Sequence, residues 1–344
     1  MEKKNYNAID VAKFISALLV VGIHTGPFLD INKEANFILI QIIARLAVPL
    51  FFVVSGFLLF RKLDLTREWN DYDNIQKIKQ YLKRLVKLYI IWSILYLPFN
   101  YLLLKGGDGL QAASILRYIR DFFFTGSYYH LWFLPALLLA VPLSYLLIAR
   151  LGYKAALVIG CILYLLGMAG NVYPALLEQI PGIKSVLSVY LSIFSTTRNG
   201  LFFGVIFVCI GAFFAKRRIY LRNYVIGIGL LLSLFLLFVE CYSLRAHGFM
   251  KDLTSMYLML IPCVSLLFLL LLRIHIKDSP VYRTMRILSL LIYVSHLMFV
   301  NIILWAFPQM NSLAVYLITV LSSVVISYLL CLVSKKIPIL KHLY

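Results

Sequence analysis

The stretch IDVAKFISALLVVGIHTGPF, residues 9–28, decides the fold class of this chain. Apolar side chains fill most of it, and about 20 residues of helix cross the hydrocarbon core of a bilayer. Similar runs recur along all 344 residues, of which 62% are hydrophobic and only 14% charged. Soluble domains are nearer half apolar and a quarter charged, so this composition excludes a soluble globular protein. The sequence therefore predicts an all-α polytopic membrane helix bundle.

The apolar runs predict about ten transmembrane helices in one membrane domain, residues 1–344, with no soluble domain. If the N-terminus lies on the cytoplasmic side, most of the 33 Lys and Arg residues fall in segments that lie on that side as well. Because such residues favour the cytoplasmic side, both termini are predicted to be cytoplasmic. Two connections, 111–124 and 174–197, have apolar side chains at helical spacing and could lie along the interface. The predicted spans are 8–29, 36–60, 82–104, 130–150, 154–173, 198–215, 221–243, 253–273, 286–307 and 312–334.

The formal net charge of +19 favours contact with anionic lipid headgroups. It gives little support to nucleic-acid binding, because the basic residues are scattered among helix ends. The five cysteines stand alone in apolar stretches, with no metal-binding or redox spacing. The sequence thus predicts membrane lipids as partners, no nucleic acid and no metal.

Ionisable side chains inside spans are costly and are therefore candidates for function. Lys13 and His24 fall within about 20° of one helix face and about 16 Å apart along the axis. One helix thus carries a cation near the inner surface and a titratable base in its outer half. In the alternative interpretation, Lys13 extends to the headgroups and pairs with Asp10, while His24 caps a helix end.

Arg45 lies well inside the second span, where a guanidinium needs an anionic or carbonyl partner. Pro49 leaves a backbone carbonyl free one turn earlier, near Arg45. An arginine that points outward is the alternative. In the same span, Ser55 and Gly56 form a small pair that predicts close helix packing.

The other candidates divide into two groups. Arg84 and Lys87 open the third span on one face, where they suit a phosphate-bearing cytoplasmic ligand, anionic lipid or topology signalling alone. His296 lies near mid-membrane and could equally be hydrogen-bonded to a neighbouring helix. The predicted inner basic rim consists of Lys13, Arg84 and Lys87; the predicted outer-half cluster consists of His24, Arg45, His130, Arg198 and Glu240.

Four blocks carry a resemblance to a known family. They are residues 9–28, ARLAVPLFFVVSGFLLF (44–60), YHLWFLPALLL (129–139) and SLLIYVSHLMF (289–299). In this order they resemble the acyltransferase-3 family, and in particular its enterobacterial-common-antigen O-acetyltransferase branch. The family consists of bacterial integral membrane acyltransferases of about ten spans.

The resemblance implies transfer of an acetyl group from cytoplasmic acetyl-CoA to a hydroxyl of an extracytoplasmic or lipid-linked glycan, in the bacterial cytoplasmic membrane. The family's basic residue and histidine of the first span match Lys13 and His24, although that basic residue is usually arginine. Its basic motif at the third span maps to Arg84 and Lys87. On this hypothesis His24 acts as base or acyl carrier, with the remaining candidates divided between two roles. Arg45 and Glu240 assist catalysis; His130, Arg198 and His296 contact substrate.

A second resemblance keeps another function open. ARLAVPLFF, YHLWFLPALL and RNGLFFG are similar to the membrane domain of vancomycin-resistance serine racemases, which implies uptake of a small polar molecule such as serine. A transporter would move its substrate without acetyl-CoA. A structural membrane partner of a glycan-assembly complex is a third possibility and would have neither activity.

Overall fold

The computed structural model describes residues 5–105, 112–250 and 254–344, and within them it contains helices and no β-strand. The helices are α1 Asn7–Thr25, α2 Lys33–Phe37, α3 Ala47–Phe60, α4 Tyr72–Leu95, α5 Leu97–Lys105, α6 Ala112–Phe124, α7 Phe133–Val172, α8 Pro174–Leu177, α9 Pro181–Phe194, α10 Val205–Lys216, α11 Asn223–Ala246, α12 Leu260–Leu271, α13 Pro280–Ala306 and α14 Ser312–Val333. Two π-helical segments, Ile38–Ile43 and Gly200–Gly204, and two 3₁₀ segments, Ala44–Leu46 and Pro338–Leu343, complete the elements.

The predicted membrane helix bundle is confirmed. Among the described residues, six helical stretches are long and apolar enough to cross a membrane: Asn7–Thr25, Lys33–Phe60, Phe133–Val172, Asn223–Ala246, Pro280–Ala306 and Ser312–Val333. Shorter apolar helices lie at Gly182–Phe194, Gly200–Lys216 and Leu260–Leu271. The number of spans and the side on which the termini lie stay predictions.

The helical run α7 consists of two helices that are separated by a non-helical residue, Gly152. This break lies between residues 130–150 and residues 154–173, which were predicted as two separate spans. Gly152 has φ 79°, a conformation that costs a glycine little because it has no Cβ. Both connections predicted to be amphipathic contain helix, namely α6 and α8–α9. Gln111 and Leu253, at the ends of two predicted segments, lie outside the described residues.

The chain divides into two compact units. The first, unit 1, comprises Met1–Phe51, Leu221–Phe238 and Pro262–Tyr344; in it α1, α13 and α14 pack against one another. The second, unit 2, comprises Phe52–Tyr220 and Val239–Ile261; in it α7 packs against α10 and against the π-helical segment Gly200–Gly204. The prediction of one domain over residues 1–344 stays a prediction.

Close backbone approach holds α3 and α10 together inside unit 2. A Cβ added at Gly56 would collide with the carbonyl oxygen of Val208, and one added at Gly211 with that of Val53. Each helix thus presents a glycine to the backbone of the other, as small residues do at membrane helix crossings. The close packing predicted at Gly56 is confirmed.

Candidate functional site

Two histidines from opposite ends of the sequence meet in unit 1. The ring centroids of His24, in the last turn of α1, and His296, in the middle of α13, are 5.2 Å apart, with the ring planes inclined by 33°. His296 is completely buried and His24 is half-buried. The Nδ1 of His296 lies 2.8 Å from the carbonyl oxygen of Tyr293, so a neutral His296 carries its proton on Nδ1.

The end of α1 is well defined, which fixes the position of His24. Gly26 follows with φ 57°, and its N–H donates to the carbonyl oxygen of Gly22, a left-handed cap that ends the helix. Pro27 comes next and cannot continue the helical hydrogen-bond pattern. His24 is therefore held one residue before the end of α1, at a helix terminus of defined geometry.

Lys13 and His24 share the packed face of α1. Ala17 and Val20, both buried, lie within about 40° of the line that joins them. Ile15 is 52% exposed and lies on the opposite face. Both side chains are half-buried and belong to the side of α1 that packs against α13 and α14, not to its exposed side.

An ion pair that the sequence analysis missed fixes α1 to α13. Asp10 accepts two hydrogen bonds from Arg286, at 2.8 Å from Nε and 2.6 Å from Nη2. Asn7 adds a bond from Nδ2 to Asp278, at 2.6 Å. The sequence analysis considered Lys13 as a partner for Asp10, because the two residues lie one turn apart on the helix. Local spacing cannot indicate a contact with a residue near the other end of the chain.

Arg45 is buried, with 8% of its surface exposed, so the outward-pointing alternative is wrong. Its Nε donates to Oε1 of Gln41, one turn earlier, at 3.0 Å. Arg45 lies in the 3₁₀ segment that follows the π-helical segment Ile38–Ile43. Such interruptions often mark functional sites because they redirect side chains.

The remaining candidates lie in unit 2. The guanidinium carbon of Arg198 is 4.8 Å from the centroid of the Trp132 ring, a cation–π contact. His130 is buried and meets the rings of Tyr96 and Tyr128 edge to face, at 5.0 and 5.8 Å. The backbone around His130 is fixed by Asn100, whose Nδ2 donates to the carbonyl oxygen of Ser127 at 2.9 Å.

Within unit 2, the carboxylate of Glu240 accepts hydrogen bonds from two backbone N–H groups. Its two oxygens accept the N–H groups of Leu258 and Met259, at 2.7 and 2.9 Å, directly before α12 begins. This is the arrangement by which a carboxylate satisfies the free amides of a helix N-terminus. The geometry gives Glu240 a structural role, and its catalytic role stays a prediction.

Arg84 and Lys87 are exposed and lie about one turn apart on α4. Their exposure leaves them accessible to an anionic group. Their predicted contact with a phosphate-bearing ligand is compatible with this placement.

Asp30, in the loop after α1, ties that loop to α14 in unit 1. Its Oδ2 accepts the N–H of Ser312 at 2.7 Å. This backbone hydrogen bond holds the pKa of Asp30 below its ordinary value, because the bond stabilises the ionised carboxylate.

Comparison with known proteins gives one family and three relatives. The model of a family described as "Acyltransferase domain", the acyltransferase-3 family, matches residues 6–332. An "Amino-acid racemase" of Enterococcus faecalis is 31% identical, over 99% of this chain and 48% of its own length. A second protein of that description and organism is 31% identical over 82% of this chain and 38% of its own length.

A "Serine/alanine racemase" of Enterococcus gallinarum is 30% identical, over 78% of this chain and 37% of that protein. The chain therefore spans less than half the length of each of these relatives. No solved structure matches it.

Proposed function

Since the chain belongs to the acyltransferase-3 family, we propose that it moves an acetyl group from cytoplasmic acetyl-CoA to a hydroxyl of an extracytoplasmic or lipid-linked glycan. The family match supports membrane acyltransferase activity, and the donor and the acceptor are further parts of the proposal. The observation that carries it is the imidazole pair, His24 and His296, with centroids 5.2 Å apart. A half-buried imidazole beside a buried one can take a proton where bulk water is largely excluded.

In the proposed reaction the acceptor oxygen attacks the thioester carbonyl carbon, and Nε2 or Nδ1 of His24 removes its proton. The carbon–sulfur bond breaks with its electron pair on sulfur, and the proton passes from His24 to the thiolate. The products are the acetyl ester and CoA with a free thiol. General-base catalysis of this kind contributes about 10²–10⁴-fold.

The cations have proposed roles that match their placement. Arg45 is buried and could stabilise the negative charge that develops on the carbonyl oxygen. Arg84 and Lys87 are exposed cations one turn apart, which suits the phosphates of CoA. Lys13 is proposed to contribute at the same donor, although it lacks the planar fork that arginine offers a phosphate. His130, Arg198 and His296 are the proposed substrate contacts.

Hydrolysis of acetyl-CoA, in which water takes the place of the acceptor hydroxyl, tests the donor half of this reaction. It is measured as release of labelled acetate by the purified full chain in lipid nanodiscs. We expect His24→Ala to lower the rate at least about 100-fold, the share of a general base. His247→Ala is the matched control, because His247 is exposed and its Nδ1 lies 2.8 Å from the carbonyl oxygen of Ser243, one turn earlier in the chain. Full activity of His24→Ala would remove His24 from catalysis.

A second candidate function comes from the relatives, whose names refer to amino acids. The chain could transport a small polar molecule such as serine. That function predicts uptake of labelled serine into proteoliposomes without acetyl-CoA, and no acetate release. Measuring both activities on the same preparation separates the two functions.

A further inference from the structure

Helix α14 buries hydroxyl groups on successive turns, and two of them, on Thr319 and Ser323, are one turn apart. Thr319 and Ser323 are both 0% exposed. Within the described residues neither Oγ1 of Thr319 nor Oγ of Ser323 has a hydrogen-bond partner. A buried hydroxyl without a partner loses its bonds to water and gains none in return, so such groups call for an explanation.

The two hydroxyls belong to the same three-helix group as the histidine pair. They lie on the buried side of α14, which packs against α13 and α1. A Cβ added at Gly22, two positions before His24, would lie 3.8 Å from the ring of Tyr316, one turn before Thr319. Helices α1 and α14 are therefore in contact close to both groups.

Helix geometry brings the hydroxyls to the level of His296. That residue lies about 15 Å before the end of α13, at 1.5 Å per residue. Thr319 and Ser323 lie about 10 and 16 Å after the start of α14, and a short connection joins the two helices. The His296 ring therefore lies at a depth between the two hydroxyls or within about one turn of them.

We propose that the hydroxyls of Thr319 and Ser323 bind an internal water molecule beside the histidine pair, and that this water attacks the donor when acetyl-CoA is hydrolysed. The second half of this statement rests on the proposed function. Each hydroxyl can donate one hydrogen bond and accept others, so the pair can hold a water and orient its lone pair. The water oxygen bonds to the carbonyl carbon and one water proton goes to His24. The carbon–sulfur bond breaks with its electron pair on sulfur, and His24 passes the proton to the thiolate. Acetic acid, which ionises to acetate, and the CoA thiol leave.

A purely structural role makes different predictions. Either hydroxyl could rotate to bond the carbonyl oxygen one turn earlier in α14, as serine and threonine do in membrane helices. In that case the hydroxyls would have no influence on water or on the rate. Removing them would change stability alone.

The test compares the wild-type chain with Thr319→Val/Ser323→Ala, which deletes both hydroxyls at little change in volume. Thr319→Ser/Ser323→Thr keeps them, and Ser327→Ala removes a buried hydroxyl one turn further along the same row. We expect acetate release to fall about tenfold or more in the deletion variant, to recover in the exchange variant and to be unchanged in Ser327→Ala. The melting temperature should not fall with the activity, because replacing buried hydroxyls by apolar groups of nearly the same shape changes stability little.

A second readout does not depend on turnover. Pulsed X-rays generate hydroxyl radicals from water, and a ring with no exposed surface is oxidised only by radicals made at a bound internal water. We expect oxidation of His296 in the wild type and at least a fivefold loss of it in Thr319→Val/Ser323→Ala.

Absence of His296 oxidation in the wild type would overturn the water site. Unchanged acetate release in the deletion variant, or an equal loss in Ser327→Ala, would overturn its catalytic role. A wild type that releases no acetate at all overturns the hydrolysis step, and the oxidation measurement then decides the water site by itself.

Discussion

Asp10 of α1 and Arg286 of α13 form a bidentate ion pair, with both carboxylate oxygens bound to the guanidinium at 2.8 and 2.6 Å. The same two helices carry His24 and His296 further along, so this pair fixes the register in which the imidazoles meet. Asp10 is buried whereas the side chain of Arg286 is 45% exposed. The pair is thus partly open to solvent screening, and it acts by geometry as much as by charge.

We expect Arg286→Lys to lower the free energy of unfolding by about 1–2 kcal/mol, because lysine cannot bind both oxygens of Asp10 at once. Thermal unfolding in detergent measures the change. Arg283→Lys is the control, since Arg283 is exposed in the same first part of α13. Equal melting temperatures for the two variants would refute the structural role of the pair.

The hydrogen bond from Ser312 to Asp30 predicts a pH dependence of stability. The pKa of Asp30 is held below 3.8, so the bond stabilises the fold fully above about pH 4 and is lost as the pH falls through the lowered pKa. Wild type should therefore lose melting temperature as the pH falls below about 4, and Asp30→Asn should lose less over this range. Parallel curves for the two proteins would contradict this assignment.

The crossing of α3 and α10 in unit 2 predicts that substitution by alanine has opposite effects on stability at two helical glycines. Gly211→Ala would drive a methyl group into the carbonyl oxygen of Val53, so we expect a loss of about 2 kcal/mol or more. Gly227 lies in α11 with no atom within 4 Å of an added Cβ. Gly227→Ala should be neutral or stabilising by up to about 1 kcal/mol, because alanine favours helix. Equal melting temperatures would contradict the close crossing.

The sequence predicts those features of the fold that depend on local residue patterns. Hydropathy and span length gave the helical membrane class, and helical periodicity alone identified the common face of Lys13 and His24. The partners of those residues could not be derived in this way. Whether Asp10 meets Lys13 or Arg286 depends on which helices pack together, and that is decided by the tertiary fold.

The π-helical interruptions of the helices could not be predicted from the sequence either. The π-helical segments Ile38–Ile43 and Gly200–Gly204 adjoin Arg45 and Arg198, and no residue pattern distinguishes a π-helical turn from an α-helical one in an apolar run. GLFFG, with glycines at both ends, was the nearest available signal. The break at Gly152, in contrast, was predicted from the sequence as the gap between residues 130–150 and 154–173.

Glu240 offers a test between the role predicted from the sequence and the role given by its contacts. Glu240→Gln keeps one acceptor oxygen and replaces the other by a donor, which leaves an N–H of Leu258 or Met259 unsatisfied. We therefore expect the free energy of unfolding to fall by about 1–3 kcal/mol. Acetate release per folded molecule should stay within about twofold of the wild type.

The control is Glu178→Gln, because Glu178 is an exposed carboxylate in the same unit. A catalytic Glu240 would give the opposite result, in which the melting temperature is kept and the rate falls about 100-fold or more. Since a structural carboxylate and a catalytic one respond oppositely in these two measurements, one variant and its control are enough to assign the role of Glu240.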